Sequence, residues 1–191
     1  MNKKAERGRL TRDQLVATAT ELFAERGYED TSIEAVLHEA NVSRGALYHH
    51  FAGKEGLFEA VLEAVETRVD SQLVAAVAGQ SDPVEALRGG CLAWIGFVGD
   101  HVVRQIVLID APAVLGWERW REVDQQHGLG MIRAALRATR RLPAELVDPF
   151  AHMLLASLGE IALLIARSPD PDAALDNGVA AIEELLRRVL R

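Results

Sequence analysis

Cysteine, proline and aromatic residues are scarce in this sequence of 191 residues. The single cysteine, Cys91, excludes a disulfide within the chain and fits a reducing compartment. Six prolines and 5 % aromatic residues, beside abundant alanine, leucine, glutamate and arginine, favour a chain built of helices. The N-terminus lacks the apolar core of a signal peptide, and we see no window that approaches the length of a membrane span. We therefore expect a soluble, cytoplasmic protein with no membrane partner.

Positive charge is in deficit, since the formal net charge is −7. The distribution is uneven: residues 1–12 carry five basic side chains against Glu6 alone, whereas residues 57–191 carry 13 basic and 19 acidic side chains. The acidity therefore lies mostly in the C-terminal part, and the chain opens with a basic arm. Such an arm suits DNA phosphates, and it is equally compatible with a solubilising extension.

Residues 31–54 contain the signals of two short helices joined by a tight turn. Thr31 is a suitable N-cap and Glu34 follows three residues later, a capping box that predicts a helix from Ser32. Apolar residues then recur at helical spacing for two turns. Asn41, which follows them, tolerates the left-handed backbone that ends a helix.

The second of these helices carries an unusual surface. Ser43 is its predicted N-cap, and Leu47 and Phe51, one turn apart, face inward. The rest of the helix offers a guanidinium, a phenol and two imidazoles with no acid among them, and two small residues that let a backbone approach a groove. These surface residues are Arg44, Gly45, Ala46, Tyr48, His49 and His50. Lys54 follows at the predicted start of the next helix, where a cation and the helix dipole both favour a phosphate.

This pattern resembles the DNA-binding signature of the tetracycline-repressor (TetR) family. The residues that carry the resemblance are Thr31, Ser32, Asn41-Val42-Ser43-x-Gly45-x-Leu47-Tyr48-x-His50-Phe51 and Lys54. The likeness covers residues 11 to about 62, and the family commonly has glycine where this chain has Asn41, which adopts the same backbone. The resemblance implies a helix-turn-helix DNA-binding domain over residues 1–56 and a ligand-binding and dimerisation domain over residues 57–191. The DNA-binding residues that it implies are Thr31, Ser43, Arg44, Gly45, Ala46, Tyr48, His49, His50 and Lys54.

Helix signals continue on both sides of this motif. Thr11 and Gln14 form a second capping box, which predicts a first helix from Thr11 to Gly27, and a fourth helix is predicted from Gly53 to about Ala78. The inner face of the first helix consists of Leu15, Val16, Ala19, Leu22 and Phe23. Further helices are predicted over residues 83–99, 102–114, 117–140, 144–167 and 171–190. Strand alternation and repeats are absent from the sequence, so we expect an all-α fold: an N-terminal three-helix DNA-binding unit and a C-terminal helical domain.

The last two predicted helices have broad apolar faces. In TetR-like proteins such a pair forms a four-helix bundle between two subunits, so the resemblance implies a homodimer; a core within one chain is the alternative. The predicted interface residues are Leu154, Leu158, Ile161, Ile165, Leu175, Val179, Ile182 and Leu186.

The resemblance also implies a chamber for a small, largely apolar effector between these helices and the DNA-binding unit. All three tryptophans fall within residues 94–120, and tryptophan and methionine adapt to irregular apolar cavities. The candidate ligand residues are Trp94, Phe97, His101, Ile106, Asp110, Val114, Trp117, Trp120, Met131, His152 and Met153. Ordinary core packing is the competing interpretation of each of these positions.

An all-helical enzyme is the main alternative class. Adjacent His49 and His50 point in different directions on a helix, and Asp124 with His127 forms only a lone pair at helical spacing, so the sequence predicts no metal site. Cys91 has no neighbour that activates a thiol, and no phosphate loop or nucleophile elbow is present. With these enzyme signals missing, we expect what the resemblance implies: a transcriptional repressor without a cofactor, released from a palindromic DNA operator by a small molecule. A DNA-binding regulator without a ligand stays as the alternative.

Overall fold

The computed structural model describes residues 3–190, which form nine helices and no strand. The N-terminal part contains α1 (Lys3–Asp30), α2 (Ile33–Ala40) and α3 (Arg44–His50), and α4 (Lys54–Ala76) leads out of it. The remainder contains α5 (Pro83–Phe97), α6 (π-helical Val103–Asp110, then Ala111–Val114), α7 (Trp117–Asp124, π-helical Gln125–Leu129, then Gly130–Thr139), α8 (Ala144–Ala166) and α9 (Pro171–Val189). The prediction of an all-α chain is confirmed, and the predicted helices of the C-terminal part are present within a few residues of their expected ends.

The first helix begins earlier than its sequence pattern indicated. It is helical from Lys3, so the predicted start at Thr11 is wrong, and most of the basic arm is part of α1. The Thr11 hydroxyl donates to the carbonyl oxygen of Arg7 at 3.0 Å, an interaction typical of threonine inside a helix. Gln14 does not complete a capping box either, since its amide donates to the carbonyl oxygen of Ala40 on α2 at 2.8 Å. The predicted arm residues Met1 and Asn2 lie outside the described residues.

The helix-turn-helix is present where the sequence placed it. Ser32 caps α2 by accepting a hydrogen bond from the Ala35 N–H at 3.1 Å. Asn41 ends α2 with φ 50°, the left-handed conformation predicted for it, and Ser43 caps α3 through the Ala46 N–H at 3.3 Å. These caps fix where the two helices begin and end, and so they define the turn between them.

The expected cap at Thr31 is wrong, as is its expected contact with DNA. Thr31 is fully buried, and its hydroxyl donates to the carbonyl oxygens of Leu22 at 3.1 Å and Gly27 at 2.9 Å. Gly27 has φ 78°, which interrupts the last turns of α1 and leaves carbonyl groups in need of a donor. Thr31 therefore holds the end of α1 in place, and the neighbouring Ser32 performs the capping.

The core of the N-terminal part follows the predicted apolar faces. All five predicted inner residues of α1 are buried, as are Leu47 and Phe51. An aromatic cluster joins α1 to α4: the ring of Phe58 lies edge-on to Phe23 at 5.3 Å and to Tyr28 at 5.1 Å between centroids. Because α4 buries residues along most of its length, one helix belongs to both parts of the molecule.

One polar contact also connects α1 to the C-terminal part. The carboxylate of Asp110 on α6 accepts from the backbone N–H of Tyr28 at 2.9 Å and from the amide of Gln105 at 3.0 Å. Burial raises the pKa of Asp110, and these two hydrogen bonds oppose that change. Asp110 was expected to bind a ligand; in the structure it links the end of α1 to α6.

Helix α8 corrects the expectation that no segment approaches a membrane span. Residues Ala144–Ala166 are long and apolar enough to cross a membrane, with a mean hydropathy of 1.7 in their most apolar window. Nine of these residues are buried in the domain, from Val147 to Ile165. The apolar composition is accounted for by a helix that packs at the centre of a bundle, because such a helix contacts neighbours on several sides.

Candidate nucleic-acid interface and ligand cavity

Helix α3 presents the predicted surface to the outside of the molecule. Tyr48 is 51 % exposed, Arg44 and His49 are exposed, and the space around Gly45 is open. Ser43 is exposed as well, although its hydroxyl is engaged as the cap, and Ala46 and His50 are partly buried. With Leu47 fixed in the core, α3 offers one face that can enter a groove of DNA.

Arg44 of this face forms an ion pair with a residue of α2. Its guanidinium pairs with the carboxylate of Glu34 on α2, and both side chains are more than 60 % exposed. An ion pair in such an exposed place contributes little, about 0–1 kcal/mol. The pair therefore holds Arg44 in position over α2 and is weak enough to be exchanged for a contact with a base edge or a phosphate.

The side chain of Lys54, at the start of α4, is held by two contacts. Its ammonium lies 4.1 Å above the ring of Tyr28 and 3.3 Å from the carbonyl oxygen of Glu29, so it also holds the end of α1. Arg12 of α1 lies 5.5 Å above the ring of Phe51, the residue that ends α3. Positive groups from α1 and α4 thus lie near the C-terminal end of α3, where they can contact phosphates beside a recognition helix.

A cavity of about 320 Å³ lies in the C-terminal part, between α4, α5, α7 and α8. It is twice the size of an apolar cavity that holds benzene, which is about 150 Å³. Most of its wall is apolar; the residues are Val69, Leu73, Val74, Val77, Ala86, Leu87, Gly90, Cys91, Trp94, Gly128, Met131, Ile132, Ala134, Ala135, Leu155 and Leu158. Val74 is 60 % exposed, so the cavity reaches the surface beside the end of α4.

Two of the predicted ligand residues, Trp94 and Met131, line this cavity. The others do not: Phe97, His101, Ile106, Asp110, Val114, Trp117, Trp120, His152 and Met153 lie elsewhere. Ile106 and Trp120 belong to the packed core, Trp117 is 55 % exposed with its ring 4.8 Å from that of Trp120, and Met153 is 61 % exposed. Aromatic and methionine content alone therefore predicted the region of the cavity and few of its residues.

Four polar residues complete the cavity wall, and the sequence analysis did not assign them to it: Glu66, Asp70, Asp124 and His127. His127 Nδ1 lies 2.7 Å from Asp70 and its Nε2 lies 3.3 Å from Glu63, while Asp124 accepts from Arg121 at 2.9 Å. Burial opposes the charged form of His127, but its carboxylate partners outweigh burial and raise its pKa. The sequence signal that could have found this wall is the helical spacing of Glu66 with Asp70 on α4 and of Asp124 with His127 on α7, which puts each pair on one side of its helix.

Glu66 is the most buried of these acids. It is 5 % exposed, and no hydrogen bond or ion pair to its carboxylate exists among the described residues. Burial raises the pKa of Glu66 from its ordinary 4.5 to about 7; His127 lowers it, and Asp124, Asp70 and Glu63 raise it further. Burial likewise raises the pKa of Asp124 to about 6, against the effect of Arg121, and that of the Cys91 thiol to about 12.

We expect Glu66→Gln to stabilise the fold above pH 7 and to leave it unchanged below pH 4. Because the folded state holds the Glu66 proton more tightly than the unfolded state, the wild type loses stability as pH rises from about 4.5 to about 7. Glutamine removes that loss, a gain on the order of 1–3 kcal/mol at pH 8. Urea unfolding at both pH values measures it, with Glu59→Gln on the exposed side of α4 as control. An equal gain at pH 4 would show that ionisation is not the cause.

The predicted dimer residues lie mostly inside the chain. Leu154, Leu158, Ile165, Ile182 and Leu186 are buried among α5, α8 and α9, and Ile161, Leu175 and Val179 are partly buried there. The expectation that these eight side chains face a second subunit is therefore wrong for the five buried ones. A different stripe is exposed on the same two helices, which includes Met153 and Leu164 on α8, each about 60 % exposed, and Leu185 on α9.

Comparison with known proteins places both parts of the chain. Residues 15–61 match the model for bacterial regulatory proteins of the tetR family, and residues 84–189 match the model for the tetracyclin repressor-like C-terminal domain. The HTH-type transcriptional regulator TcmR of Streptomyces glaucescens is 35 % identical over 137 residues, which cover 66 % of this chain and 60 % of TcmR. The TetC protein of transposon Tn10 from Escherichia coli is 25 % identical over 133 residues, 70 % of this chain and 67 % of TetC.

Solved structures agree over nearly the full length. The crystal structure of a TetR-family transcriptional regulator from Pectobacterium atrosepticum is 36 % identical, with a TM-score of 0.86 over 97 % of this chain and 96 % of that one. RolR in complex with resorcinol is 20 % identical with a TM-score of 0.72 over 97 % and 95 % of the chains, which shows the shared fold. Members of this family are typically not enzymes, bind DNA and usually act as dimers with small-molecule ligands. The chain belongs to the TetR family and is a DNA-binding transcriptional regulator.

Proposed function

We propose that this protein is a cytoplasmic, homodimeric repressor that leaves a palindromic operator when a small, largely apolar molecule fills the cavity. Residues 1–56 bind the operator, and residues 57–191 bind the effector and the second subunit. The observation that carries the proposal is the cavity itself, because α4 forms one of its walls and begins beside α3. The named ligand of RolR, resorcinol, supports a small effector for a chain of this fold.

The switch follows from the shared helix. Glu66, Val69 and Leu73 face the cavity, and Phe58 of the same helix packs against α1. A molecule that favours a different tilt of α4 changes the distance between the two α3 helices of a dimer, so release requires no contact between effector and DNA. To move the operator from nearly full to nearly empty, the effector must prefer the released form by about 5 kcal/mol across the dimer.

The operator is expected to be an inverted repeat. A two-fold dimer presents two identical α3 helices, and each enters a major groove of the same duplex, with half-sites about 34–36 Å apart. Selection of binding sites from random DNA tests this directly. A selected pool without an inverted repeat would contradict a dimeric repressor of this kind.

On the selected operator, we expect Arg44→Ala to weaken binding by about 1–3 kcal/mol and to relax the preference at one base pair of each half-site, as for loss of a guanine contact. Lys54→Ala is the matched comparison: it removes a phosphate contact, weakens all sequences about equally and lowers the salt slope by about one. Titrations on operator and random DNA at several salt concentrations measure both. Equal weakening of both DNAs by Arg44→Ala would contradict base recognition by Arg44.

A further inference from the structure

One acid of the cavity wall, Glu66, has no polar partner among the described residues. Asp70 has His127 and Asp124 has Arg121, but the Glu66 carboxylate has no hydrogen-bond or ion-pair partner within residues 3–190, although the side chain is 95 % buried. A buried acid without a partner is costly to ionise, and native structures rarely keep one. Its position on the cavity wall means that a bound molecule is the available partner.

The charges around the cavity indicate the charge of the molecule that binds there. Three acids line this end of the cavity from α4 and α7, namely Glu66, Asp70 and Asp124, and the more exposed Glu63 lies beside them. Among the described residues, the bases in contact with these acids are Arg121 and His127. α5 contributes the neutral thiol of Cys91 and the ring of Trp94, and α8 contributes two leucines. The potential there is negative, so an anion is repelled and a cation is attracted.

We propose that the effector is a hydrophobic cation, an ammonium or similar group joined to an apolar ring or chain, and that Glu66 receives its positive charge. The inference rests on the proposed role of the cavity as the effector site. The apolar wall holds the body of the molecule, and the face of Trp94 is suited to a cation. A metal ion does not fit the same groups, since no three His, Cys, Asp or Glu side chains of the described residues are arranged to hold one.

Binding is coupled to protons. A cation beside Glu66 favours its ionised form, so near pH 7 binding expels about half a proton, and affinity for a permanently charged molecule rises about tenfold from pH 6 to pH 8. Over the same range Asp124 gains negative charge, which acts in the same direction. The carboxylate partners of His127 raise its pKa, so His127 keeps its positive charge to a higher pH than an ordinary histidine does.

A matched pair of probes tests the proposal. Benzyltrimethylammonium and neopentylbenzene have the same shape, and only the first carries a charge, which does not titrate. By calorimetry at pH 8 we expect the cation to bind at least about tenfold more tightly, with the stated pH dependence and proton release. Glu66→Gln lowers the affinity for the cation by about tenfold or more and leaves that for neopentylbenzene within about threefold. Glu59→Gln, which removes the same charge from the solvent side of α4, changes neither affinity.

The outcomes separate this inference from the proposed function. If neopentylbenzene binds as tightly as the cation, or if Glu66→Gln leaves the cation's affinity unchanged, the charged effector is refuted and the cavity remains an effector site. If neither probe binds, both proposals fail. If the cation binds as described but leaves the affinity for the selected operator unchanged, recognition of a cation by Glu66 stands, and release by the cavity ligand fails.

Discussion

Replacing Phe58 with alanine is expected to lower the free energy of unfolding by about 3–5 kcal/mol. Phe58 is fully buried, and its ring contacts Phe23 and Tyr28 edge-on, so truncation leaves a cavity at the junction of α1 and α4. Neither helix can collapse into the space without moving the other. Urea unfolding followed by circular dichroism measures the loss.

Phe97→Ala provides the matched control. Phe97 is only partly buried on α5, away from the junction, so the same truncation is expected to cost less. Phe58→Ala is also expected to weaken operator binding at temperatures where the protein is still folded, because Tyr28 in turn contacts Lys54. A smaller loss of stability for Phe58→Ala than for Phe97→Ala would contradict the central position assigned to this aromatic cluster.

The helix-turn-helix was predictable because its signals are local. An N-cap, a left-handed residue and an inward apolar pair act within a few residues of their own position, and Asn41, Ser43 and Leu47 behave as their pattern indicated. The error at Thr31 has a different origin. Two adjacent hydroxyls are equally able to cap α2, and burial of Thr31 against the end of α1, a contact made by tertiary packing, decides between them.

The start of α1 shows the limit of a capping pattern. Thr11 and Gln14 have the correct spacing, but no proline precedes them to stop a helix. A threonine hydroxyl is also satisfied by the carbonyl oxygen one turn earlier. The π-helical segments of α6 and α7 could not be recognised in the sequence. A π-helical turn shifts the apolar spacing of an α-helix by only one residue, which a short segment does not reveal. A helix start is thus less predictable when no capping or helix-stopping residue marks it than when a residue such as Ser43 caps the helix.

The cavity was difficult to predict because it forms where small side chains leave space unfilled, and a sequence does not show which small residues lie together. Small residues, among them Gly90, Cys91, Gly128 and Ala135, leave the volume open, and single substitutions there change it strongly. A β-carbon at Gly128 would lie 2.8 Å from Leu155, so even alanine would move that part of the wall. Large residues such as Trp120 were predicted to line the cavity, but a large buried side chain fills space that a ligand would need.

Five of the predicted interface residues are buried within the chain because α8 is apolar on several faces. The strongest stripe, which contains Leu158, packs against the chain's own α5 and α9, and the weaker stripe through Met153 and Leu164 is the one left exposed. Sequence periodicity ranks faces by apolar content and does not show which neighbour covers each of them. An exposed apolar stripe on the two closing helices is the surface that a second copy covers in our proposal.

Leu164→Arg is therefore expected to produce a folded monomer that has lost most of its affinity for the operator. The side chain is 60 % exposed in the single chain, so arginine is accommodated there without a buried charge, whereas in a dimer it would lie in the apolar interface. Each monomer then binds one half-site alone, and loss of the second contact lowers operator affinity by about 10²–10⁴-fold. Sedimentation, circular dichroism and operator titration measure these three properties.

Two variants make the result specific. Ile109→Arg introduces the same charge at a residue of α6 that is 39 % exposed and outside the stripe, and it should leave the protein dimeric and able to bind the operator. Leu158→Arg places the charge at a residue that is 4 % exposed, and it should unfold the domain instead of dissociating a dimer. A Leu164→Arg protein that sediments as a dimer would move the interface to another face, and a monomer with wild-type affinity for the operator would contradict dimeric recognition altogether.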